Sequence, residues 1–243
     1  MSILIVIVVF GIAIFIHELG HFLAMRLFGV EVTEFTIGFG PTLWQRQLKC
    51  GTHFRLKPIF FGGYAKPVPG AVEATRWYQQ IVIYAAGMLM NVLAASVAIS
   101  ISFVSQDFDQ GLKICVLTAL DAFRQTFVIW LTYPYLVFQA LHHNAAGVAA
   151  SARGPVGIVQ MMAPAFRHSV RAALEQFATL NVLLAGFNLI PLPALDGGRI
   201  VLVPFRKLLG QKAHDYLIVV TFLLLLLLMV LITYKDIARL FGH

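Results

Sequence analysis

Charge is scarce in this chain of 243 residues: Asp, Glu, Lys and Arg together make up 12%, about half the share usual in a soluble domain. Hydrophobic residues account for 59%. Several apolar runs reach the roughly 20 residues that a helix needs to cross hydrocarbon. An ordinary soluble domain is excluded, and an integral membrane protein is implied. Cysteine is equally scarce. Cys50 and Cys115 lie in segments of different character without a CxxC spacing, so neither a disulfide framework nor a cysteine-based metal site is implied. No Lys/Arg cluster is interleaved with exposed aromatics on a polar segment, which sets nucleic-acid binding aside. The formal net charge of +7 comes mainly from residues beside apolar runs, where they orient the chain and meet the lipid bilayer's anionic headgroups. The N-terminus has neither the basic leader nor the small-residue cleavage site of a signal peptide, and reads as a retained membrane helix. With no internal repeat and no low-complexity linker, a single membrane-embedded domain over residues 1–243 is expected.

The expected architecture is α-helical and integral to the membrane, with about four transmembrane helices. The first span runs from about Ile3 to Met25. Residues 29–80 differ in character, with glycines and prolines punctuating short alternating stretches. VEVTEFTIGFG and THFRLKPIFFGGY read there as strands and turns, a β-rich re-entrant loop region after the first helix. A second span is expected over about Ile81 to Val104, ending near Asp107 and Asp109. Residues 112–141 carry an apolar, aromatic run broken by Pro134, and fit an interfacial or re-entrant segment. A third span covers about Phe177 to Ile190, and a fourth, nearly pure Leu/Ile/Val, about Tyr216 to Tyr234.

The first span carries HELGH, in which His17 and His21 stand four positions apart and project from nearly one helix face, so two imidazoles can share one metal. Glu18 lies about 100° round the helix, placed to take a proton from water at the metal's open position. Three such groups in one turn of an apolar helix are costly in hydrocarbon and mark function more often than packing, although histidines that merely hydrogen-bond to neighbouring helices are the plain alternative. Catalytic zinc usually takes three protein ligands. Asp196, the lone carboxylate between Glu175 and Asp215, sits where the third span breaks at prolines and glycines. It is the natural third ligand, or else a cap on backbone amides in the LDGG turn.

These motifs resemble the site-2 protease family of intramembrane zinc metalloproteases, with HELGH near one end and NLIPLPALDGG near the other in matching order and spacing. IGFG followed by FGGY looks like the membrane re-entrant β-loop of the branch that cleaves bacterial anti-sigma factors, and GPVGI resembles a segment before its third core helix. The resemblance implies Zn2+ held by His17, His21 and Asp196, with Glu18 as general base and Asn188 handling substrate. Asn188 has a structural alternative, hydrogen bonding to backbone carbonyls freed near Pro191 and Pro193. It further implies single-span membrane proteins as substrates and a bacterial inner membrane location, with the site toward the cytoplasm. The chain departs from the family in two places. Where members often show GPxxN in the second core helix, it has Gly87, Met88 and Asn91. Residues 105–176 are also too short and too apolar for the PDZ domain of better-known members.

A divalent-metal transporter is the rival from another class, but transport needs no proton-transferring base and would call for a second polar site, for which His142 and His143 are the nearby candidates. An inactive scaffold is a third reading, opposed by the intact HELGH and LDGG. For topology, Arg46, Lys49, Arg55, Lys57, Lys66 and Arg76 place the loop after span one in the cytoplasm and the N-terminus outside. Asp196 can then meet the histidines only if span three runs inward, so residues 112–141 should lie along or dip into the outer leaflet.

Overall fold

The computed structural model describes residues 2–103 and 168–240 together with scattered positions between them. Helix α1 (Ser2–Leu27) leads into strands β1 (Val32–Phe39), β2 (Trp44–Gln47), β3 (His53–Leu56) and β4 (Ile59–Pro67). Helices α2 (Trp77–Phe103), α3 (Val170–Leu189) and α4 (Asp196–Leu240) follow. Among the described residues, Ile5–Leu27, Trp77–Ser102 and Lys212–Arg239 are long and apolar enough to cross a membrane. These coincide with the first, second and fourth expected spans. The protein is thus an integral membrane protein, mostly helical, with a small four-stranded sheet among the described residues. The third expected span falls on the apolar part of α3. That helix begins seven residues earlier than expected, because Ser169 caps it by accepting from the Ala172 amide at 3.1 Å and an exposed Arg171–Glu175 pair lines its first turns. The interfacial segment expected over residues 112–141 lies outside the described residues.

The end of α1 follows from its sequence. Gly29 takes a left-handed φ of 74°, and the Val30 amide reaches back to the Met25 carbonyl at 2.8 Å, the bond that closes a helix of this type. Strand order in the sheet is β2-β3-β1-β4, with β1 parallel to β3 and the other pairs antiparallel. Phe35 of β1 fastens the sheet to α1, its ring lying 5.8 Å from Phe15 and 5.3 Å from Phe22 between centroids. Those two positions are seven apart and so share a helix face. One buried cluster joins α1, the sheet and α2 through Met25, Val32, Val72 and Ile83. A second joins α1 to α3 through Val6, Ala13 and Leu180.

Two close approaches bring the helices to the site. Gly20 of α1 presses against the Ala86 carbonyl of α2, leaving no room for a side-chain carbon, as small residues permit where membrane helices pack. After α3 the chain turns through Pro191 and Pro193 into α4, whose Gly197 and Gly198 lie against the Leu189 and Leu192 carbonyls. Helix α4 is itself broken at Gly210, with φ 72° and ψ 157°. A first arm holds Asp196, and a second is the lipid-exposed span.

Candidate metal centre

His17 and His21 stand one turn apart on α1, their rings edge to face with centroids 4.8 Å apart and their Nε2 atoms 3.2 Å apart. The first residue of α4 closes the group. Asp196 Oδ2 lies 3.0 Å from His17 Nε2 and 3.1 Å from His21 Nε2. Among the described residues this is the group of His, Cys, Asp or Glu side chains that could hold a metal ion. Tetrahedral zinc bound at about 2.0–2.1 Å separates its N and O donors by roughly 3.3 Å, close to the spacing here, so the three residues fit the ion. The other role considered for Asp196, capping the LDGG turn, has no hydrogen bond behind it: its described partners are the two imidazoles.

Each imidazole is held at its far side. The Ile83 carbonyl of α2 accepts from His21 Nδ1 at 2.8 Å, which fixes the tautomer that leaves Nε2 free for a metal. His17 Nδ1 lies 3.2 Å from the side-chain amide of Asn91, a residue fully buried on α2. With its nitrogen toward His17, the Asn91 amide leaves its own buried oxygen without a partner. Turned end for end, the amide accepts from His17 Nδ1–H through Oδ1 and leaves Nε2 with its lone pair for the ion. Gly87, one turn before Asn91, makes room for both rings, since a Cβ there would stand 2.8 Å from His17 Nε2 and closer still to His21 Nε2. In the GPxxN pattern Gly87 and Asn91 are kept and Met88 stands where the proline is missing, but sequence reasoning gives neither kept residue a role. An asparagine inside an apolar span was the available signal.

Glu18 faces β4. Its Oε2 accepts from the Ala65 amide at 3.1 Å, and Gly63 lies so close that a Cβ would come within 3.2 Å of the Glu18 Cγ. His17, His21, Asp196 and Glu18 line one cavity of about 290 Å³, which Asn188, Tyr84 and Arg199 also border. Asn188 points its Nδ2 back to the Leu184 carbonyl on its own helix at 3.0 Å, about two turns before Pro191. The arrangement can hold a divalent ion, with a carboxylate beside it for proton transfer and room for a substrate backbone.

Comparison with known proteins gives the class. The model of the family described as Peptidase family M50 matches residues 5–228. The chain belongs to that family, the site-2 proteases that its two signature motifs resemble, and is a zinc metalloprotease with zinc as its cofactor. A Clostridium perfringens protein named "Putative zinc metalloprotease" is 27% identical, with 98% of each chain covered. The Yersinia pestis "Protease RseP" is 38% identical over 40% of this chain and 24% of its own.

Proposed function

We propose that the protein is an intramembrane endopeptidase that cuts single-span membrane proteins within or beside their membrane segments. It acts as one membrane-embedded domain crossing a bacterial inner membrane about four times, with its site open toward the cytoplasm. The observation that carries this reading is the convergence of His17, His21 and Asp196 beside Glu18 on a single polar cavity. Zinc, when bound there, acidifies water and polarises the scissile carbonyl.

Glu18 takes a proton from the attacking water as the water oxygen bonds to the carbonyl carbon, and delivers it to the amine nitrogen as the C–N bond breaks. Asn91 and the Ile83 carbonyl keep the two imidazoles oriented throughout. The substrate must be extended, since a helix engages its own carbonyls. β4 is an edge strand of the sheet bordering the cavity through Gly63, Tyr64 and Ala65, so an unwound segment can add alongside it by strand pairing. Asn188 borders the same space and carries an amide able to meet the substrate backbone.

The test is to incubate purified protein with a panel of single-span membrane proteins, with and without a zinc chelator, and to map products by mass. Chelator-sensitive cuts at or near membrane segments are expected. Glu18→Gln should retain zinc while the rate falls about 10²- to 10⁴-fold, the usual loss with a general base. A Gln variant cleaving at the normal rate removes Glu18 from the mechanism.

A further inference from the structure

Arg199 has no assigned role, yet it borders the cavity that holds the metal ligands. It follows Asp196 by three residues on α4, so the two side chains share a helix face. Its guanidinium carbon sits 5.9 Å from the centroid of the Tyr84 ring on α2. Its Nε is buried and has no hydrogen-bond partner. The carboxylates bordering the cavity are engaged elsewhere: Asp196 with the histidines, Glu18 with the Ala65 amide, and Glu73 with Arg206 at 3.5 Å. Among the described residues Arg199 forms no ion pair. An unmatched guanidinium donor is expensive in a buried setting, and the Tyr84 ring supplies no hydrogen-bond acceptor. The residue borders the cavity, so an acceptor for its terminal N–H groups can come from a chain bound there. Asn188 commits Nδ2 to its own helix, so Arg199 is the strong donor remaining where an extended chain would enter.

We infer that Arg199 is a substrate-binding residue that donates to a backbone carbonyl oxygen of the peptide beside the scissile bond. The inference rests on the metalloprotease reading and specifies how that site grips its substrate. A planar donor fork with a permanent charge suits a carbonyl inside a low-dielectric cavity, where a charge-assisted bond is roughly twice as strong as a neutral one. Because the grip is on the backbone, it is indifferent to side-chain sequence. The cavity would thus accept varied peptides provided they are unwound.

Binding to the zinc-loaded full-length protein separates the possibilities without relying on turnover. Two probes are compared: acetohydroxamate, which reaches the metal alone, and a peptidyl hydroxamate, which adds an extended backbone. Arg199→Gln should keep its zinc stoichiometry and its acetohydroxamate affinity while binding the peptidyl probe about 10- to 100-fold more weakly, the worth of one hydrogen bond to a charged group. Arg199→Lys should recover part of that loss, and it carries the same comparison if the Gln variant does not fold. Unchanged peptidyl affinity in the variant would falsify the inference. An equal loss for both probes also overturns it, because Arg199 would then support the metal face. Wild-type protein that binds neither zinc nor either probe overturns the metalloprotease reading and this inference with it.

Discussion

At the scale of single residues, the metal centre depends on groups that never touch the ion. Asn91 is fully buried, and its amide is the described partner of His17 Nδ1. Replacing it with Leu keeps the branched outline and removes the acceptor, freeing the imidazole to turn or to take the other tautomer. Asn91→Leu should therefore weaken zinc binding about 10- to 100-fold, as loss of such a supporting bond typically does, with the helices still folded. Titration of apo protein against a competing chelator measures it, and unchanged affinity would show that packing alone orients His17. The three residues that the structure brings together were legible because HELGH and LDGG are local patterns. The role of Asn91 was not, since it lies in a contact with a residue 74 positions away, although the residue itself stands in the GPxxN position.

Among elements, the site exists because α1 and α2 approach closely. Gly20 and Gly87 lie on opposite sides of that contact, the first against the α2 backbone and the second against both imidazoles. Gly87→Ala would place a methyl carbon less than 3.0 Å from both imidazole rings, an overpacking that typically costs about 1–3 kcal/mol. We expect it to lower zinc content per chain and the melting temperature together. A variant with full zinc content would mean that α2 can shift by the width of a methyl group. The long helices were legible from apolar runs alone, and two strand segments from their alternation. Strand β2 was missed because Trp44–Gln47 is exposed at every position, so no buried face stamps a period of two on it. The parallel pairing of β1 with β3 was equally hidden, because register between strands is a property of packing.

At the scale of the whole molecule, the alignment with the Clostridium perfringens relative runs over 332 positions, so at least 89 of them have no counterpart among the 243 residues here. The ligand motifs are nonetheless intact. Topology follows from requiring α1 and the first arm of α4 to meet at one membrane depth. We expect cysteines introduced at positions 150 and 240 to react with an impermeant reagent in intact cells, and the native Cys50 and a cysteine introduced at 210 to be protected. Labelling at 210 but not at 150 would place residues 112–141 across the membrane and break the model. The separation of the ligands has a consequence for biosynthesis. His17 and Asp196 are 179 positions apart, and a ribosome adding about 5–20 residues per second needs roughly ten to forty seconds to cover that distance. Throughout that interval the nascent chain has two histidines and a glutamate in the bilayer but no third ligand. A chain that has emerged only through α1 and α2 therefore cannot yet assemble the three-residue group, and no hydrolytic centre can form on it.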